Sequence, residues 1–546
     1  MKQKHHLIFL LILCLAGSRA VADLPARFDL RHAGENNYVT TVKSQQGGTC
    51  WAHGTLAAME SNLLRTGTWI REPELSEPNL AEYHLDWWNG FNLFYNEDLG
   101  YLPGEGLAVH MGGDYRVAAA YLSRGDGAVR DEDGQSYKDP PARRDSSYQY
   151  FYPRDIEWYR LKRDLSNIAF IKNQLMTHGA LATCMYANNL FLDDSTNGSF
   201  YQPPSDPNEP NHSIAIVGWD DTLRTAAPSP GAWLCKNSWG ASWGSAWGGN
   251  GYFWISYYDK HAGRNPEMGC VSFQHVEPMR YDGIYYHDYH GWRDTLDVRE
   301  AVNIFVAEAR DTLVAVSFYT AADSVNYSVK VFRTRTALGN DSPVLTQGGM
   351  IACAGFHTLD LEIRPVLMSG DSFFVCLDLD RGGQAYDRTS VVPVLLDVPQ
   401  VYSMKAEATT VPSRAEKNES LFRSGGEWID LQTVNASANF CIKALVKKSR
   451  YSSQTPAPES SGLIGTYPNP AGGRITIDFQ LVSEARVEIR LTDLAGRTVA
   501  VCANETFPAG YHWINWDVSG LSAGLYLCIL SCDGQLTDTR KMLVLK

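Results

Sequence analysis

Three residues far apart in the chain carry side chains that together could cleave an acyl bond. Cys50 stands in "KSQQGGTCWAHG", His212 opens the run "HSIAIVGWDD", and Asn237 lies in "GAWLCKNSWGASWG". A thiol attacks as its thiolate, so it needs a base to hold its proton and a further group to orient that base. An imidazole can be the base, and an asparagine carbonyl can accept the ring N–H and so select its tautomer. Trp239, two residues past Asn237, can shield that hydrogen bond from water. Each stretch also has a plainer reading. Free cysteine is among the most buried residue types, a lone histidine ahead of a strand is commonly a satisfied structural residue, and Asn-Ser-Trp-Gly commonly forms a turn.

The surrounding patterns say which elements hold these residues. Leu56, Met59 and Leu63 recur at helical spacing after Cys50, and Gly67 ends the pattern. One helix face then packs inward, and Cys50 falls in the first turn, where the positive end of the macrodipole favours thiolate. The apolar, β-rich run from Ile214 to Val217 predicts a strand with His212 just ahead of it, and Asn237 follows another apolar strand.

Taken together, "VKSQQGGTCWA", "NHSIAIVGWDD" and "WLCKNSWGASWG" resemble the papain-like cysteine peptidases, in the order Cys, His, Asn, over residues 24 to 265. The resemblance implies a two-lobed peptidase fold, with Cys50 as nucleophile, His212 as general base and then acid, and Asn237 as the orienting residue. It also implies that Gln45 gives its side-chain amide, with the Cys50 backbone N–H, to the oxyanion of the tetrahedral intermediate. "HMGGDYRVAAAYL" resembles the segment whose paired glycines line the substrate cleft, which makes Gly112 and Gly113 candidate substrate contacts; a plain turn before a helix is the other reading. The chain departs from the family pattern at several positions. Gly47 stands where the family has a cysteine, so the usual local disulfide is absent. The loop ahead of Cys50 is one residue short, which leaves Gln45 and Gln46 as alternatives, Gln45 favoured because it follows "VKS". His53 replaces a phenylalanine and reads as a packed helix residue. The interval from His212 to Asn237 is longer than in papain, with the excess in "TLRTAAPSPG", a surface loop. "LPARFDLR" resembles a mature start and follows the leader almost at once, where the family commonly carries an inhibitory prodomain.

The bulk properties bound what else the chain can be. At 546 residues it predicts several folded modules, and its 44% hydrophobic content is that of globular protein. A net charge of -13 with no basic block excludes a nucleic-acid footprint. "MKQKHHLIFLLILCLAGSRAVA" reads as a secretory signal over 1–22, and no later run is long and apolar enough for a membrane anchor. The ten cysteines after Cys14 show no disulfide framework; Cys528 and Cys532 share one extended strand and lie too far apart to bridge. No clustered Cys and His ligands appear, so neither metal nor other cofactor is expected.

The expected architecture is multidomain α+β: a peptidase domain over 23–275, a β-sandwich over 280–447, a Ser/Pro linker over 448–462 and a second small sandwich over 463–546. The first sandwich opens with "YDGIYYHDYHGW" and resembles the lectin-like domain that follows the peptidase in a group of bacterial papain-like proteins; its His287, Asp288 and His290 read as ordinary hydrogen-bonding groups. The last unit, with "YPNPAGGRITIDF", "LTDLAGRTV" and "AGLYL", resembles the C-terminal sorting domain of the type IX secretion system. That implies a Gram-negative host, export through the periplasm to the outer surface or medium, and partners that include protein substrates, the secretion machinery and surface lipopolysaccharide or glycans. The competing expectation is a papain-like surface binding or adhesion protein that has lost catalysis.

Overall fold

The computed structural model describes residues 24–69, 77–92, 96, 106–195, 197–392, 409–448, 460–467, 469–471 and 473–545. The leader, the expected mature start at Asp23 and most of the expected linker lie outside the described residues.

Helix α1 (Cys50–Thr66) runs through the first lobe. Its sequence pattern predicts one inward face, yet every residue from Cys50 to Leu56 and from Ala58 to Leu63 is buried. A helix surrounded on all sides must satisfy its polar groups internally. Ser61 Oγ donates to Tyr38 O and accepts from Ala180 N, and Asn62 bonds His178 O and Val276 N. Gly67 closes the helix in the left-handed region at φ 69°, returning its N–H to the Leu63 and Leu64 carbonyls. Helices α2 (Glu82–Trp88) and α3 (Tyr115–Ser123) complete this lobe, and Asp114 caps α3 by accepting Val117 N at 2.7 Å.

The second lobe is an antiparallel sheet in the order Leu181–Met185, His212–Asp220, Ala232–Lys236, Tyr252–Ser256. The strands His212–Asp220 and Ala232–Lys236 are buried along their whole length, which explains their unbroken apolar texture. The run expected as a surface loop joins them, alternating between exposed and half-buried residues until Gly231.

From there the sheet does not stop at the lobe. Leu181–Met185 touches Cys270–Pro278, which pairs along its length with Phe151–Tyr159. The other edge of Phe151–Tyr159 pairs with Gly355–Asp360, from Gly355 opposite Glu157 to His357 opposite Asp155. Gly355–Asp360 in turn pairs with Asp311–Thr320, that with Ile442–Lys448, and Ile442–Lys448 with Gly283–Tyr285. A second sheet of six strands, from Leu345–Ile351 to Glu427–Asp430, faces it across a core that includes Phe305, Phe318, Val331, Phe373, Phe440 and Ile442. The described residues between 283 and 448 therefore form a sandwich, as expected, but one of its sheets is shared with the first domain. The C-terminal unit is a separate sandwich of three and four strands around Ile477, Phe479, Val487, Ile489, Leu530 and Met542. Cys528 and Cys532 do share one strand there, Gly524–Cys532, and the ten cysteines among the described residues form no disulfide with one another.

Candidate active site

Cys50 is the first residue of α1, and its Thr49 neighbour holds the N-cap position with no acidic residue in the first turn. The helix N-terminus thus presents its partial positive charge unopposed at the thiol. Gly54, one turn in, rests directly on the strand that His212 begins: a Cβ built there would lie 2.7 Å from the Tyr115 hydroxyl and closer still to Ser213 Oγ. Tyr115 clamps this contact by hydrogen bonds to Ser213 Oγ and, at 2.8 Å, to Thr183 O. The close approach of helix and strand sets Cys50 and His212 on facing elements.

His212 Nε2 and Asn237 Oδ1 are 2.8 Å apart. An amide oxygen can only accept, so the ring carries its proton on Nε2. The same oxygen accepts Ser238 N at 2.8 Å, which fixes the amide orientation. Trp239 stacks on the imidazole at 4.6 Å and 23°, and Trp243 meets Trp239 edge-on at 5.1 Å. Cys50 and His212 have no solvent-exposed surface, while Gln45, Asn237 and Trp239 line an open cleft of about 880 Å³ together with Gly47, Gly48, Met111, Met185 and Trp243.

Gln45 reaches this cleft from a loop held on three sides. Its N–H donates to Ser238 O at 2.7 Å, and its Oε1 accepts from Ser238 Oγ at 2.6 Å. Its Nε2 donates one hydrogen to Gly47 O at 3.0 Å, which leaves the second hydrogen of that amide for another acceptor. Gln46 is exposed and is engaged through its backbone, its N–H donating to Tyr83 Oη at 3.0 Å and its carbonyl accepting from Thr49 Oγ1 at 2.9 Å; burial pushes the Tyr83 phenol up to about 12. Gly47 has φ 64°, and a Cβ there would stand 2.9 Å from His110 O, so the side chain lost at this position could not be replaced without moving the wall. In place of a disulfide, Gly48 N donates to His110 O at 2.7 Å, and His110 Nδ1 lies 2.5 Å from the buried Asp86 Oδ2.

Gly112 and Gly113 lie directly behind the cleft wall. Both are buried, and the cleft wall is formed by Val109, His110 and Met111 just ahead of them. A Cβ on Gly113 would come within 2.6 Å of the Trp51 ring, so this glycine admits the tryptophan that follows Cys50.

Behind the loop lies a buried charge network. Lys43 Nζ contacts Glu60 Oε1 at 2.8 Å and Glu82 Oε1 at 2.6 Å; burial opposes its charge, but the two carboxylates hold its pKa above the ordinary lysine value. Lys236, next to Asn237, donates to Thr40 Oγ1 at 2.9 Å, and burial pulls its pKa down to about 8. His53 packs beside this network with Nδ1 on Thr49 O at 3.0 Å, and burial lowers its pKa. His287, Asp288 and His290 are dispersed: His287 bonds Ile304 O at 2.7 Å, Asp288 pairs with Lys443, and His290 packs at a tilt against Phe91.

Comparison with known proteins places this geometry. The model of the papain family cysteine proteases matches residues 24–270, that of the lectin like domain matches 284–446, and that of the secretion system C-terminal sorting domain matches 465–545. Residues 24–270 are a papain-family domain. Procathepsin L of Rattus norvegicus is 27% identical over 219 residues, covering 40% of this chain and 57% of its own. Cathepsin K of Gallus gallus is 28% identical over 220 residues, covering 40% of this chain and 55% of its own. The chain thus spans somewhat over half the length of the curated relatives it matches. The cysteine protease and lectin-like domains of Cwp84, a surface layer associated protein of Clostridium difficile, share the fold at a TM-score of 0.59 and 22% identity, over 78% of this chain and 89% of that one. That match spans the papain-family domain and the lectin-like domain together.

Sequence reasoning missed the residues that brace the site of the papain-family domain. Ser238 adjoins Asn237 and was open to inspection; Tyr83, Asp86 and His110 act across the lobe, and no local pattern marks them.

Proposed function

We propose that the chain is an exported cysteine endopeptidase, with Cys50 as nucleophile, His212 as base and then acid, Asn237 as the orienting group and Gln45 as an oxyanion donor. The observation that carries this reading is the 2.8 Å bond from His212 Nε2 to Asn237 Oδ1 beneath the Trp239 ring, beside a cleft that Gln45 also lines. With Nε2–H given to Asn237, the lone pair of the neutral ring sits on Nδ1. The Cys50 thiol passes its proton there, and the sulfur attacks the scissile carbonyl carbon. The displaced π electrons go to the carbonyl oxygen, which takes hydrogen bonds from the Gln45 amide and the Cys50 backbone N–H. Collapse of this intermediate expels the amine, which leaves with the proton from His212. Water then gives a proton to Nδ1 and attacks the thioester, releasing the acid and the thiol. In this proposal Met111 and Gly48 contact the substrate directly, while Gly112 and Gly113 act as the turn behind them.

The sorting-domain match supports export by type IX secretion, with the product at the outer surface, on lipopolysaccharide, or in the medium. Protein substrates and the secretion machinery are then its partners. The test uses the full exported chain. A peptidyl epoxide inhibitor labels the wild type at Cys50, casein is cleaved under reducing conditions, and Cys50→Ala loses both. A folded wild type that takes no label and cleaves nothing would refute the peptidase reading.

A further inference from the structure

The loop that opens the lectin-like domain, residues 286–293, lies along helix α3 of the papain-family domain and grips it at three heights. At the C-terminal end, Arg124 donates to Tyr289 O and lies over the Tyr289 ring at 4.2 Å. In the first turn, Arg116 stacks on Trp292 at 4.5 Å. At the N-terminal end, Arg293 Nη1 stands 3.8 Å from Asp114 Oδ2, with side chains only 5% and 1% exposed. Two charges this deep cannot be spared each other without a large desolvation penalty. Among the described residues, Asp114 Oδ2 has no hydrogen-bond partner, so Arg293 is what balances its charge. Arg293 is itself located by Phe91, whose ring it covers at 4.6 Å, and by Nε donating to His290 O at 3.2 Å.

Asp114 sits where the cleft wall becomes helix. Its other oxygen caps α3, Gly113 before it admits Trp51, Met111 three residues earlier lines the cleft, and Tyr115 after it holds Ser213 beside His212. A shift at Asp114 therefore moves the wall on one side and the histidine strand on the other. We propose that Arg293 is a positioning residue of the peptidase cleft, acting through Asp114, so that the lectin-like domain is a structural part of the active site rather than an appended binding module. This rests on the peptidase reading above, and it assigns a role that the lectin-like fold by itself does not suggest.

The experiment is a double-mutant cycle in the full chain with Arg293→Met and Asp114→Asn, the latter keeping the helix cap. The readouts are the rate of Cys50 alkylation by iodoacetamide, kcat and KM on a peptide, and hydrogen exchange over 110–123. Each single variant is expected to leave one buried charge unbalanced, speed exchange over 110–123 and slow alkylation about tenfold to a hundredfold. The double variant, with neither charge, should recover part of the loss, and Arg293→Lys should recover part of that seen in Arg293→Met. If a single variant fails to fold, the double variant still reads the coupling. Unchanged exchange and alkylation in both singles, or losses that simply add in the double, would overturn the proposal. A folded wild type with no proteolysis would instead strike the peptidase reading, while the exchange measurement would still report on the Arg293–Asp114 pair.

Discussion

Gln45 and Gln46 are neighbours of one type with opposite surroundings, and that contrast is the ground for proposing Gln45 as the oxyanion donor. Gln45 is drawn to Ser238 by its backbone and its side-chain oxygen, and its amide nitrogen keeps one hydrogen for a substrate oxygen. Gln46 is exposed, with its backbone alone tied to Tyr83. Removing one oxyanion donor typically costs a hundredfold to a thousandfold in kcat. Gln45→Ala should therefore lose about two to three orders of magnitude in kcat with little change in KM, while Gln46→Ala stays within about twofold of wild type. The reverse pattern in steady-state kinetics would move the oxyanion role to Gln46. The braces explain how a loop one residue short is still held in place: Ser238, Tyr83 and His110 supply contacts where the bridge is missing.

Helix α1 and the strand His212–Asp220 meet at Gly54, where helix propensity and packing disagree. Alanine is favoured over glycine in a helix interior by about 1 kcal/mol. A methyl group at this position, however, would intrude on Ser213 Oγ and the Tyr115 hydroxyl, two buried groups already bonded to each other. Overpacking of this kind costs about 1–3 kcal/mol, so packing should win. Gly54→Ala is expected to lower the melting temperature and slow Cys50 alkylation, because the displaced strand begins with His212; a more stable, fully reactive variant would show that the contact does not set the pair. Much of this was legible beforehand. Cys50, His212 and Asn237 each stand at the edge of an apolar helix or strand run, so their places at element boundaries could be read from the chain. The full burial of α1 was not, since Glu60, Ser61 and Asn62 read as a polar face until their partners, 17 to more than 200 residues away, are known.

The shared sheet is the feature least visible in the chain, because edge pairing needs only extended backbone and leaves no mark on composition. Phe151–Tyr159 joins Cys270–Pro278 to Gly355–Asp360, and Asp155 on that middle strand accepts from both sides: His275 Nδ1 at 2.7 Å and His357 Nδ1 at 3.1 Å. The core is shared too, with Tyr319, Phe356 and Leu445 packed among residues of α1 and α3, whereas the C-terminal sandwich keeps a core of its own. Heating should therefore melt the papain-family and lectin-like domains in one transition and the sorting domain in another. Asp155→Asn tests the junction, since His275 and His357 bond different carboxylate oxygens, Oδ2 and Oδ1, and the amide NH2 that replaces one of them cannot accept. Burial alone would raise the Asp155 pKa, but the hydrogen bonds from His275 and His357 hold it below the ordinary 3.8, so its contribution is present above that pH and fades as pH falls through the lowered value. The hydrogen bond to Asp155 raises His275 above the ordinary 6.5, so its contribution is full below 6.5 and fades as pH rises through the raised value. The loss in Asp155→Asn should then be largest between these two ordinary values, about pH 4 to 6.5. His275 is more than half exposed, so solvent screens its share, and about 1–2 kcal/mol is expected in that window, narrowing on either side. Calorimetry across pH should show only the joint transition moving; a shift independent of pH, or one confined to the sorting domain, would mean that Asp155 does not tie the two domains together.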